Sequence, residues 1–299
     1  MKHRERTMDM QLVDKIVCIT GGSRGIGLAT ARAFAAEGAK VVICARNAGR
    51  LEEAVASVRE STGVAIEAVA VDVTKVADIE RLATHLERAY GRLDVLVNNA
   101  GTGIYKPFAS VTPGDLVHGM EINFFAQFLV TQKLLPLLEK TGSASVVNVS
   151  GRTALRGNFP PGSTCTGPAK AAEVRFSIDL ATELAELGVR VNCVIPGVVA
   201  SDDRFKLWET QALNRPLDAG STAEIRRDLE KISVPKGQRW GEPREIADVI
   251  LFLASPRASY INGAALTADG GPHNKSYVTQ LYAQRSETEA RRAAAASVS

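Results

Sequence analysis

The chain has 299 residues, 45% hydrophobic and 23% charged, with a net charge of +3. Such a length fits one large or two small domains, and the composition suffices for a sizeable buried core. The slight positive balance makes no case for a nucleic-acid or membrane-surface partner. With no apolar run long enough to span a bilayer and no apolar leader in the opening MKHRERTMDMQ, the expected location is the cytoplasm.

Residues 1–12 are charged and expected to be flexible. A β-branched run at 15–20 (KIVCIT) reads as a strand, followed by a helix from about Gly25 to Glu37. KVVICA at 40–45 is the next strand, with LEEAVASVREST behind it as a helix. Further strands read at 66–72, 93–99, 145–150 and 189–195, each separated by a helical pattern. A last strand at 264–269 follows the helix REIADVILFLAS. Apolar strands alternating with helices specify a parallel sheet covered on both faces. The expected fold is therefore a single-domain α/β chain, a Rossmann-type doubly wound parallel sheet over residues 13–272. A polar insertion at 201–239 interrupts the alternation and is expected to act as a lid, with Phe205, Trp208 and Leu213 as apolar wall. Residues 273–299 form a tail of low complexity. Cys18, Cys44, Cys165 and Cys193 show no CxxC pairing and read as small core residues.

The chemistry sits at the carboxyl ends of these strands. Gly21, Ser23, Arg24, Gly25, Ile26 and Gly27 follow the first strand with TGxxxGIG spacing. Glycines there permit a tight strand-to-helix turn and close approach to a pyrophosphate lodged on the helix N-terminus. The second strand ends in Arg46 and Asn47 rather than in an acid. An acid would bind a ribose 2′-hydroxyl, whereas Arg46 with Arg24 favours a 2′-phosphate, hence NADP(H). Asp72 and Val73 end the third strand, with Asp72 placed to accept from an adenine amino group. Asn99, Ala100 and Gly101 follow Asn98 at the end of the fourth.

With TGGSRGIG, Asp72-Val73, NNAG at 98–101, Asn123, NVS at 148–150, Lys170 and Pro196-Gly197, the chain resembles the short-chain dehydrogenase/reductase superfamily from about Lys15 to Gly271. The resemblance implies that Lys170 bonds the nicotinamide ribose and that Asn123 holds a water near it. It also implies that Pro196, Gly197, Val199 and Ser201 flank the nicotinamide amide. Family members form dimers or tetramers through two long helices, which would begin here near Thr112 and Pro168.

One departure stands out. The family's active-site tyrosine, four residues before the lysine, falls on Thr166. The usual serine falls on Gly151, so Ser150 or Thr153 would stand in. The catalytic candidates are thus Asn123, Ser150, Lys170 and Thr166. An aliphatic hydroxyl is far too weak an acid to replace a phenol of pKa about 10, although it still donates a hydrogen bond. Of the tyrosines, Tyr105 is expected at the crevice, with Tyr277 or Tyr282 arriving from the tail. Losing a general acid costs a factor of about 10²–10⁴ and leaves hydride placement intact. A substrate carrying a phenol beside its carbonyl would offset that loss. The resemblance to tyrosine-less reductases of angucyclinone-type antibiotic pathways makes the leading expectation an NADPH-dependent ketoreductase of a hydroxylated polycyclic ketone. Two alternatives stay open: non-redox catalysis on the same fold (dehydration, cyclisation or retro-aldol cleavage), and a non-catalytic NADP-binding regulator.

Overall fold

The computed structural model describes residues 9–155, 162–200 and 239–271. The β-branched runs become β1 (Ile16–Thr20), β2 (Lys40–Ala45), β3 (Glu67–Ala70), β4 (Val95–Asn98), β5 (Ser145–Val149), β6 (Arg190–Pro196) and β7 (Ala265–Ala268). They pair parallel throughout, in the order β3-β2-β1-β4-β5-β6-β7. The helices are α1 (Gly25–Ala36), α2 (Ala48–Thr62), α3 (Val76–Tyr90), α4 (Pro113–Met120), α5 (Ala126–Glu139), α6 (Thr166–Glu183) and α7 (Pro243–Ala254).

Side chains alternate across the sheet, and each face therefore builds its own core. Val17, Ile19, Val41 and Ile43 pack with Phe34 of α1, Leu51 of α2 and Ile250 of α7. Ile16, Cys18, Val42 and Cys44 pack on the opposite face with Leu82 of α3, Leu134 of α5 and Ala181 of α6. All four cysteines are buried free thiols. Strand order reverses between β1 and β4, so the carboxyl ends of these strands flank the crevice where ligands of doubly wound sheets bind.

Several boundaries differ from the sequence expectation. Leu12 is buried and Met10 packs against the first core, so the N-terminal segment docks from residue 9 onward. Burial of those apolar side chains outweighs the polar bias around them. The third strand ends early because Asp72 Oδ1 accepts from the Thr74 N–H and hydroxyl, turning the chain. Thr112 caps its helix through a reciprocal bond set with Asp115, but a π-helical turn at Glu121–Phe125 separates α4 from α5. α6 begins at Thr166, two residues before Pro168, whose missing N–H costs nothing in a first turn. Residues 201–238, with Ser201, Phe205, Trp208 and Leu213, lie outside the described residues, as do Tyr277 and Tyr282 of the tail. Among the described residues no helix is long and apolar enough to cross a membrane.

Candidate active site

The glycine loop is tied to the segment after β4 by side chains from both sides. Thr20 Oγ1 accepts from the N–H groups of Asn99 and Ala100 at 2.9 and 3.0 Å. Asn99 Nδ2 donates back to the carbonyls of Thr20 and Gly21. Gly21 takes a φ of +64°, and a Cβ on Gly27 would lie 2.3 Å from the Gly21 carbonyl oxygen. Only glycine fits at both positions. α1 starts at Gly25 without a side-chain cap and without an acid in its first turn. Its leading N–H groups and positive dipole end thus remain for an anion, which fits a pyrophosphate.

A cleft of about 700 Å³ runs along this edge. Arg24, Arg46, Asn47 and Arg50 stand at one end, and three cations fit a ribose phosphate group. Asn47 has a second duty there, since its Oδ1 caps α2 by accepting from the Arg50 N–H at 2.9 Å. Val73, after the edge strand β3, lies toward the same end, and Ser23, Gly25, Ile26, Ala100 and Gly101 line the middle. Pro196, Gly197 and Val199 line the far end with Lys170. Two expected cofactor residues do not reach this wall: Gly27 packs beneath the loop, and Asp72 lies between the wall residues Val71 and Val73 with an oxygen committed to Thr74.

At the far end Lys170 Nζ donates to Glu173 Oε1 at 2.9 Å and to the Val149 carbonyl at 3.4 Å. It also abuts Gly101, where a Cβ would stand 3.2 Å from Nζ. Burial drives the Glu173 carboxyl above the usual carboxylate range, against the opposing pull of Lys170 and Ser150. A line of buried side chains anchors this part of α6 to the sheet. Asn98 Nδ2 donates to Asn148, Asn148 Nδ2 to Ser177, and the Ser177 hydroxyl to the Glu173 carbonyl.

A family model described as "Enoyl-(Acyl carrier protein) reductase" matches residues 21–273. The chain is 35% identical over 264 residues to a 3-oxoacyl-(acyl-carrier-protein) reductase of Thermotoga maritima, covering 88% of this chain and 99% of that one. Identity to the 7alpha-hydroxysteroid dehydrogenase of Escherichia coli K12 is 32% over 263 residues, covering 88% and 96%. An NADPH-bound short chain oxidoreductase from Pseudomonas aeruginosa PAO1, described as containing an atypical catalytic center, superposes with a TM-score of 0.76 at 32% identity, covering 87% and 98%. The chain belongs to the short-chain dehydrogenase/reductase family.

Membership makes it a nicotinamide-dependent oxidoreductase acting on a carbonyl or CH–OH group, and it shows how much of the catalytic set is spent on structure. In this short-chain dehydrogenase/reductase Thr166 is buried at the cleft wall, and its one hydroxyl proton is already given to a backbone carbonyl. Oγ1 accepts from the Ile104 N–H at 2.8 Å and donates to the Ile104 carbonyl at 3.0 Å. Ser150 lines the cleft, and its hydroxyl donates to the Lys170 carbonyl at 2.8 Å. Asn123, carried by the π turn and fully buried, donates to the carbonyls of Thr102 and Gly119 and accepts from the Thr102 N–H. Those bonds use its amide to hold the 101–104 loop. Thr153 lines the cleft, as does Tyr105. Tyr90 donates to Glu67, and Tyr260 is fully exposed.

Glu173 and Arg50 are site residues that the motifs did not signal. The clue to Glu173 was its spacing. The buried stripe of α6 comprises Thr166, Ala169, Lys170, Glu173, Ser177 and Ala181, so the acid falls on a helical face facing the core.

Proposed function

We propose that the chain is an NADPH-dependent ketoreductase acting on a hydroxylated polycyclic ketone of the aromatic-polyketide type, with no tyrosine at the usual position to supply the proton. Bound NADPH supplies a hydride to the carbonyl carbon. The chain's own residues bind and orient. The uncapped start of α1 holds the pyrophosphate, Arg24, Arg46 and Arg50 hold the 2′-phosphate, and Lys170 beside Gly101 holds the nicotinamide ribose. Thr153 at the cleft wall is the hydroxyl that steers the substrate carbonyl.

The observation that carries the reading is the closed bond pair between Thr166 and Ile104. Thr166 lines the cleft, but its single proton is already donated, while Lys170 keeps its place beside it. Acid help at the carbonyl then falls to the substrate. A phenol beside the ketone donates an internal hydrogen bond to the carbonyl oxygen and passes its proton as the alkoxide forms. The polycyclic class is supported by the likeness to a hydroxysteroid dehydrogenase. The test pairs a phenolic polycyclic ketone with its O-methyl ether and follows NADPH consumption. The phenol is expected to turn over about 10²-fold faster, the low end of a general acid's contribution. Equal rates would remove the substrate from the proton's path.

The same reading includes self-assembly. Phe128 of α5 is 42% exposed and meets Phe124 of the π turn edge-on and Phe176 of α6 at a tilt, while Phe125 of the π turn and Ile178 of α6 are also exposed. An aromatic face of this kind suits a second copy of the chain.

A further inference from the structure

Glu173 is fully buried on α6, with Oε1 on Lys170 Nζ at 2.9 Å and Oε2 without a hydrogen-bond partner among the described residues. Hydride delivery requires no such group, and a buried carboxylate is costly unless both oxygens are paired. Lys170 connects it to the cleft. Nζ holds Glu173 on one side and Val149 on another, and meets Gly101 at the cleft wall on a third.

The internal hydrogen bond of a phenolic ketone moves the charge created by hydride addition but does not cancel it. One negative charge stays shared between two oxygens until a proton enters from outside the substrate. We propose that this proton comes from Glu173 by way of Lys170. The substrate oxyanion takes a proton from the Lys170 ammonium, breaking an N–H bond and forming an O–H bond. The resulting amine takes the proton of the Glu173 carboxyl across the 2.9 Å contact, leaving ammonium paired with carboxylate. A solvent proton arriving at Lys170 after product release restores the carboxyl. No oxidant or reductant beyond the hydride is involved. Glu173 touches neither substrate nor cofactor; it acts through Lys170, and the scheme rests on the ketoreductase reading.

The burial that raises the Glu173 titration keeps a proton on it at a pH where an exposed glutamate has lost one. The titratable groups facing it are Lys170 on its own helix and Cys193 on β6. Burial pushes the Cys193 thiol up to about 12, so it stays neutral and does not compete. His118 and Tyr105 also line the cleft, which is why the pH profile needs a variant beside it.

The test compares the wild type with Glu173→Gln and Glu173→Asp, using NADPH and a phenolic ketone. It records kcat against pH, the infrared band of a protonated carboxyl in the NADP-bound protein, NADPH affinity and thermal unfolding. Because the protonated form is required, wild-type kcat should fall as pH rises through the Glu173 titration, and the carboxyl band should vanish over the same range. Glu173→Gln should lose both the band and that limb, with kcat down about 10²-fold and NADPH affinity and unfolding temperature near wild type. Glu173→Asp should recover part of the limb. A Glu173→Gln variant with wild-type kcat and pH profile overturns the proposal. Loss of NADPH binding together with kcat overturns it as well, since Glu173 would then shape the cofactor site. A titrating band in a wild-type protein that oxidises no NADPH with any ketone sinks the reductase reading and this step with it.

Discussion

Replacing Thr166 with valine separates a structural hydroxyl from a catalytic one. Valine keeps the shape of threonine, a residue only 3% exposed here, and removes Oγ1, which holds both polar groups of the Ile104 backbone. Two hydrogen bonds are lost at a net of about 1 kcal/mol each, and the stranded Ile104 groups are half-buried, which favours the middle of that range. A loss of about 2 kcal/mol should lower the melting temperature by roughly 4–8 °C, at about 2–4 °C per kcal/mol for a domain of this size class. The loosened 101–104 loop should raise KM for the ketone several-fold, while kcat changes by less than about tenfold. Thermal unfolding followed by circular dichroism, alongside steady-state rates on one protein preparation, gives both numbers. A fall in kcat of about 10²–10⁴ with no shift in melting temperature would make Thr166 the proton donor and refute the reasoning.

Three other substitutions probe separate parts of the account. Arg46→Asp should weaken NADPH by about 10–150-fold, the worth of one charge-assisted contact of about 1.5–3 kcal/mol, and shift preference toward NADH; an unchanged NADPH to NADH ratio of kcat/KM would place the 2′-phosphate elsewhere. Asp94 joins β1 to β4 by accepting from the Ile16 N–H at 2.9 Å and pairing with Lys15 and Arg92. Burial pushes its carboxyl up, but those three donors outweigh burial and hold it below the usual range. Its contribution is therefore present above the unfolded-state pKa of about 3.9 and lost as pH falls through the lower folded value, so Asp94→Asn should destabilise at neutral pH and flatten the acid limb of stability. An acid limb identical to wild type in urea titrations would assign acid lability to other groups. On the self-assembly proposed above, Phe128→Asp should lower the mass seen in light scattering to that of a monomer, and a mass unchanged from wild type would remove α5 and α6 from any interface.

The sheet was legible because parallel strands buried on both faces are written as unbroken β-branched runs, and β2 at Lys40–Ala45 matches its run residue for residue. The glycine loop was legible because backbone geometry at Gly21 and Gly27 excludes any other residue. What motifs could not convey was where hydrogen bonds go. Ser150, Thr166 and Asn123 sit at positions that carry catalysis by resemblance, yet each spends its polar group on nearby backbone. Nor does a motif mark Glu173, whose significance depends on the helix phase that turns it inward toward Lys170. Asn47 shows the same limit at the other end of the cleft, where one side chain serves helix capping and lines the cofactor site. In residues 9–12 the polar neighbours hide Met10 and Leu12, two apolar anchors that pack against the core.

The central claim is that the chain delivers a hydride although its tyrosine position holds a spent threonine. NADPH carrying deuterium at both C4 positions of the nicotinamide ring, incubated with the enzyme and a phenolic polycyclic ketone, tests it most directly. The account predicts one deuterium on the carbinol carbon of the product, seen by mass spectrometry and NMR, for each NADPH oxidised. Product without deuterium, formed while the NADPH absorbance stays constant, would contradict it and point to non-redox chemistry in the same cleft.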